Sequence, residues 1–269
     1  MDFKNTRILF VGAAGGIGSY MAEDLLAAGA RVCLVGLFEE ELEHLTTKLG
    51  DLAKGACSIV ADVTRGEDRA RCVQVMQESF GGVDMLINLA GINAFARFEE
   101  QSEESIEKIM SVNAIAPMLM AHAVLPDMLK QGGDQIVNIG STFGSIGFSC
   151  FTSYSTSKFA LRGFSQALRR ELVDTGVGVT YIAPRGVDTP LNPPAVYEMA
   201  KEVKMSFDQP EYVADQILDA IRKDRKEKYI GFPESLFARV NGVFPGLVDN
   251  SLRKQNTTMK KYAEQDGNR

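Results

Sequence analysis

The sequence predicts an α/β protein: one doubly wound domain whose parallel sheet of about seven strands carries helices on both faces. Three observations predict it. Strand-like apolar runs alternate with helix-like stretches along most of the 269 residues. The strand runs are continuously apolar, as strands buried on both faces require. A glycine-rich turn follows the first run directly and opens the first helix.

The elements follow in order. Arg7 to Val11 reads as the first strand, and residues 17–28 as the first helix. A strand over 31–35 precedes a helix over 39–49, and a strand over 58–61 precedes a helix over 68–80. A fourth strand covers 85–88, and a long helical stretch runs over 105–129. The fifth strand is read over 135–139, the next helix over 154–174 and the sixth strand over 177–182. No linker rich in proline, glycine or serine divides the chain. Residues 1–230 therefore read as one domain, and 231–269 as a C-terminal amphipathic extension.

Composition excludes several classes of function. A hydrophobic content of 45% supports a large core. A net charge of -6 and a pI near 5.2 offer no basic field for nucleic acid. Cys33, Cys57, Cys72 and Cys150 are scattered without a C-x-x-C pair, the usage of a reducing, cytoplasmic compartment. With only His44 and His122, neither a histidine-rich metal site nor a Ser-His-Asp triad is expected. His122 lies in an apolar run, where a helix-face or core position is the plain reading. No signal peptide and no window of membrane-spanning length and apolarity are expected.

The turn Gly12-Ala-Ala-Gly15-Gly16-Ile17-Gly18 lets backbone approach a pyrophosphate at a helix N-terminus. The same glycines could serve a tight turn alone. The second candidate cluster is Tyr154 and Lys158, one helical turn apart, with Ser141 upstream. A phenol titrates near 10, and an ammonium close by would bring it toward neutral pH. A serine hydroxyl could hold a carbonyl or carbinol oxygen against that phenol. The spacing alone also describes many solvated helical pairs.

Taken together, these motifs resemble the short-chain dehydrogenase/reductase family over residues 6–221. The glycine turn matches the family's Thr-Gly-x-x-x-Gly-x-Gly, with Val11 in the threonine position. Asp62-Val63 matches its adenine-contacting pair, and Asn88-Leu89-Ala90-Gly91 its Asn-Asn-Ala-Gly. Asn113, Ser141, Tyr154 and Lys158 match its catalytic tetrad. Residues 184–189 match its Pro-Gly-x-Val-x-Thr, with Arg185 in place of the glycine. The resemblance implies a Rossmann fold that binds NAD(H) or NADP(H) through Gly12, Gly16, Ile17, Gly18, Leu37, Asp62, Val63, Asn88, Ala90, Gly91, Tyr154, Lys158, Val187 and Thr189. It implies that Tyr154 is the general acid/base, that Lys158 lowers its pKa and binds the nicotinamide ribose, and that Ser141 orients the substrate oxygen. Asn113 would hold a water linking Lys158 to solvent, and Val187 and Thr189 would fix the carboxamide. Hydride would pass between the nicotinamide and a carbinol carbon.

Departures from the pattern carry their own expectations. Val11 and Leu89 replace polar groups and are expected to pack against each other. Leu37 ends the second strand with neither the acid of NAD-selective relatives nor the cation of NADP-selective ones, so the cofactor stays open. Glu39, Glu40 and Glu41 would repel a 2′-phosphate, or form an exposed helix N-terminus. Arg185 could reach a cofactor phosphate or anionic substrate group, or point to solvent.

Residues 190–210 read as a substrate loop. Phe95, Phe98, Phe143, Phe148, Cys150 and Phe151 are candidates for an apolar pocket, which suits a hydrophobic carbonyl or alcohol. The extension places apolar residues from Leu236 to Leu252 at helical spacing, with Pro245 expected to break or kink the run. It reads as a helix on its own fold or on a partner subunit, or as an amphipathic membrane contact. The resemblance also implies a homodimer or homotetramer built on the helices that carry Asn113 and Tyr154. A turnover-deficient nucleotide sensor or scaffold, and an isomerase or dehydratase, are the alternative readings.

Overall fold

The structure, a computed structural model, describes residues 2–266. Seven parallel strands form one sheet: β1 (Arg7–Val11), β2 (Arg31–Gly36), β3 (Ala56–Val60), β4 (Met85–Asn88), β5 (Asp134–Ile139), β6 (Val177–Pro184) and β7 (Glu227–Ile230). Their order is β3-β2-β1-β4-β5-β6-β7. β1 shows why its residues make a central strand. Ile8 and Phe10 enter one hydrophobic cluster while Leu9 and Val11 enter the other, so both faces of the strand are dry.

Helices α1 (Gly16–Ala27), α2 (Glu39–Leu49) and α8 (Pro210–Arg222) cover the first face with Met21, Leu25, Leu42, Leu45 and Ile217. The second face is covered by α3 (Gly66–Phe80), α5 (Ala116–Gln131) and α6 (Thr152–Glu171), which supply Met76, Met120, Val124 and Phe164. Helix α4 (Glu103–Met110) starts at Ser102, whose hydroxyl accepts the Ser105 amide at 3.1 Å. It runs into α5 through a π-helical turn, Ser111–Ile115.

Residues 103–131 form one helical stretch that is long and apolar enough, by length and composition, to cross a bilayer. This corrects the sequence expectation that no such window exists. Its inner side, Asn113, Ala116, Met120, Val124 and Met128, is buried in the fold. His122 is exposed on the same helix. The seventh strand had no apolar run to mark it: β7 reads Glu-Lys-Tyr-Ile and sits half-buried at the sheet edge.

The stretch 190–210 contains helix α7 (Pro194–Val203). The C-terminal segment forms α9 (Glu234–Val243) and α10 (Pro245–Asp266). The break falls at Phe244, and Pro245 opens α10, where its fixed φ and missing N–H cost nothing. Helix α10 packs on α7, with Met259 and Ala263 buried beside Val196 and Met199. Arg97 holds Glu264 at 2.8 Å, and Tyr262 donates to Glu202 at 2.9 Å.

Candidate active site

The chain leaves β1 toward one face of the sheet and β4 toward the other, so a crevice opens between their C-terminal ends. The glycine turn sits at the end of β1. Gly12, at φ +89°, lies so near the segment after β4 that a Cβ on it would stand 2.5 Å from the Ala90 nitrogen. A Cβ on Gly16 would stand 2.7 Å from Thr189 Cγ2, so the segment after β6 reaches this turn too. Gly15 precedes α1 without a side-chain cap, which leaves the first amides of that helix for an anion. Leu37 and Asp62 follow β2 and β3 at the same edge of the sheet.

The catalytic end lies on β5, α5 and α6. Ser141 follows β5 in extended conformation, and Tyr181 braces it from behind. The Tyr181 hydroxyl donates to the Ser141 carbonyl at 3.2 Å and accepts its amide at 3.4 Å. The Ser141 hydroxyl accepts the Phe143 amide at 3.1 Å and lies near enough to the Tyr154 phenol to lower its pKa. Tyr154 sits in the first turn of α6, and Lys158 follows one turn later with its Nζ 5.6 Å from the phenol ring centroid. That Nζ donates to the Ile139 carbonyl at 3.3 Å. Both side chains are buried.

Burial pushes the Tyr154 phenol up to about 12, against the lowering effect of the Ser141 hydroxyl. Burial pushes Lys158 down to about 8. Loss of water around the phenol oxygen is the largest influence on Tyr154 here, with the Lys158 ammonium placed over the ring face.

Asn113 occupies the π-helical turn and is fully buried. Its Oδ1 accepts the Ile92 amide at 2.8 Å; its Nδ2 donates to the Ile92 carbonyl at 2.8 Å and to Ser157 Oγ at 3.1 Å. The side chain thus ties the turn after β4 to α6. Asn113 Oδ1 and Lys158 Nζ flank Gly91, 3.2 and 3.5 Å from where a Cβ would stand.

A cavity of about 120 Å³ gathers Ile17, Gly91, Ser141, Tyr154, Lys158, Val187 and Thr189, which come from five separate parts of the chain. A sequence profile of short chain dehydrogenases matches residues 6–199 of this chain. The chain belongs to the short-chain dehydrogenase family. An uncharacterized oxidoreductase of Bacillus subtilis, YxnA, is 30% identical over 257 residues, which covers 93% of this chain and 72% of that protein. An uncharacterized oxidoreductase of Thermotoga maritima is 35% identical over 184 residues, covering 68% of this chain and 72% of the relative. A crystal structure of a short-chain dehydrogenase from Streptomyces avermitilis superposes with a TM-score of 0.78 at 26% identity, covering 93% of this chain and 98% of that one. As a short-chain dehydrogenase, the protein has a dehydrogenase or reductase role and a small-molecule substrate.

Asn88, Asp62, Val63 and Leu37 lie outside the lining of this cavity. Asn88 points away from the crevice into the floor, where its Nδ2 donates to Asn138 Oδ1 at 2.9 Å and Asn138 passes the connection to Ser165. Asp62 spends its carboxylate on its own turn, accepting the Thr64 amide at 3.0 Å and hydroxyl at 2.6 Å, which lowers its pKa. Val63 is buried beside it. Leu37 is 51% exposed, and the three glutamates after it form the exposed first turn of α2.

Val11 and Leu89 do not pack as the expected pair: Val11 enters one hydrophobic cluster and Leu89 the other, although the Val11 carbonyl accepts the Leu89 amide at 3.0 Å. Arg185 follows neither expectation. It forms a two-bond fork with Asp208 at 2.7 and 2.9 Å, and donates to the Phe232 carbonyl at 2.9 Å and to Glu234 at 3.2 Å.

Phe95, Phe143, Phe148, Cys150 and Phe151 join Tyr154 in one apolar cluster, whereas Phe98 is exposed. Phe143 meets the Tyr154 ring edge-on at 6.0 Å and stacks on Phe148 at 4.3 Å. Sequence reading missed Tyr181, Asn93 and Phe207. Asn93 and Phe207 line the cavity, and Asn93 Oδ1 is buried without a protein partner. None of the three carries a motif signal; only the register of β6 and the fold of the two loops bring them here.

Proposed function

We propose that the protein is a reductase that uses NADH or NADPH to convert a carbonyl compound to an alcohol, and that it also runs the reverse reaction. One observation carries the reading: the buried Tyr154 phenol shares one small cavity with Ser141, with Lys158 and with Thr189, which meets the glycine turn. The glycine cradle against Ala90 and the uncapped start of α1 fit a dinucleotide pyrophosphate. In this reading Gly12, Gly16, Ile17 and Gly18 would hold the pyrophosphate, and Leu37, Asp62 and Val63 the adenosine. Ala90, Gly91, Lys158, Val187 and Thr189 would hold the nicotinamide end. When bound, the reduced nicotinamide supplies a hydride to the carbonyl carbon.

The chain's own residues do the rest. The Ser141 hydroxyl orients the substrate oxygen. Tyr154, a phenol that is protonated at neutral pH, gives that oxygen its proton as the alcohol forms. Lys158 puts positive charge beside the phenol as it loses the proton. The aromatic cluster around Tyr154 excludes water and suits an apolar substrate.

The exposed apolar residues Ile115, Met118 and Leu119 on the Asn113 helix, with Phe159 on α6, support a homodimer or homotetramer built on these helices. The test of function is a panel of aldehydes and ketones offered with NADH and with NADPH. Cofactor oxidation that depends on the carbonyl compound is expected. Tight nucleotide binding with no turnover on any member would contradict the reductase reading and favour a sensor.

A further inference from the structure

A second hollow space, about 260 Å³, lies beyond the catalytic cavity and shares Phe143, Arg185, Gly186 and Met205 with it. Its lining is largely apolar: Ile146, Phe148 and Met205 on one side, Phe237, Val248 and Leu252 from α9 and α10 on the other. The Glu234 carboxylate on its wall is held by Arg185, and Lys204, also on the wall, is an exposed residue. Phe237, 42% exposed, stands where the space meets the outside. Of the four residues common to both spaces, Phe143 and Met205 are the apolar side chains between them. Met205 is unbranched and flexible, and follows a left-handed residue, Lys204, at φ 56°. Phe143 is stacked on Phe148 and so fixes the other side of the passage.

We propose that the C-terminal helices build a distal substrate chamber, and that the carbonyl compound carries a linear aliphatic chain that runs from Ser141 and Tyr154 between Phe143 and Met205 into it. The proposal rests on the reductase reading of the site. A narrow passage between two small spaces favours an unbranched chain over a rigid ring system. Each methylene that leaves water for the chamber adds favourable transfer free energy to binding. Arg185 sets the geometry of the passage, because it fastens the Asp208 end of the substrate loop to Glu234 at the start of α9.

The experiment is a series of straight-chain aldehydes from butanal to tetradecanal with the intact protein. kcat/KM is expected to rise by about fourfold per methylene once the chain passes Phe143, and then to level off. Leu252→Trp fills the chamber and should flatten the rise while short aldehydes react as before; Val248→Phe serves the same purpose if the first variant does not fold. A wild-type profile without a rise, or a rise unaffected by both fillings, overturns the chamber. If no aldehyde of any length is reduced, the aldehyde and ketone panel above decides the reductase reading, and calorimetry with 1-dodecanol decides the chamber separately. Saturable binding that Leu252→Trp or Val248→Phe weakens by about tenfold or more supports it. Absent binding, or binding indifferent to both, overturns it.

Discussion

Tyr154 and Lys158 show how burial pushes two proton affinities in opposite directions, opposed at Tyr154 by the Ser141 hydroxyl. The phenol rises from 10.0 to about 12, and the ammonium falls from 10.5 to about 8. Between pH 8 and 10.5 the unfolded chain binds more protons at Lys158 than the folded chain, so folding stability rises with pH across that window. Below pH 8 the full penalty of burying the ammonium is present, amounting to about 3 kcal/mol. The Tyr154 contribution has the other sign and falls from pH 10 to about 12.

Lys158→Met should therefore be more stable than wild type at pH 7. Its advantage should shrink as pH rises to 10.5, as read by denaturant melts at several pH values. A constant difference would contradict the burial argument. The pairing of Tyr154 and Lys158 was visible in the chain because one turn of α6 brings them close, and Ser141 joins them from the end of β5. Tyr181 was not, because a tyrosine in an apolar strand looks like core until the register of β6 against β5 places it behind Ser141.

Among the elements, the joint made by Arg185 has the clearest consequence. Its guanidinium links the end of β6, the Asp208 strand-like bridge and the start of α9. Its side chain is only 16% exposed, so removing it leaves the Asp208 carboxylate part-buried and unpaired. Arg185→Ala should cost on the order of 2–3 kcal/mol. It should also raise KM for the carbonyl substrate more than it lowers kcat, because the passage loosens while the phenol stays in place. Denaturant melts and steady-state kinetics read both, and unchanged stability would contradict the joint.

Element positions were largely legible, since apolar runs and glycine stops mark the strands and helix ends. The role of Arg185 was not legible, because its partners lie far along the chain and meet it only in the folded form. The π-helical turn at Asn113 had no sequence mark either. Its sequence continues the helical pattern on both sides, and the insertion shows only in how the amide turns toward Ile92.

For the whole molecule, the doubly wound class followed from strand–helix alternation. The strand order and the crevice at β1 and β4 required the chain's crossovers. The same order places the Asn113 helix and α6 on one face of the sheet, with Phe159 43% exposed on it. If that face joins subunits, Phe159→Asp should lower the mass measured by light scattering from an oligomer toward a monomer; an unchanged mass would move the interface elsewhere.

The central claim is that the Tyr154 phenol donates the proton during carbonyl reduction. It is tested most directly by comparing wild type with Tyr154→Phe in a nicotinamide-oxidation assay, with nucleotide binding measured in parallel. The variant is expected to fold and bind nucleotide as before while turnover falls by at least about a hundredfold. Turnover that survives the loss of the hydroxyl would contradict it.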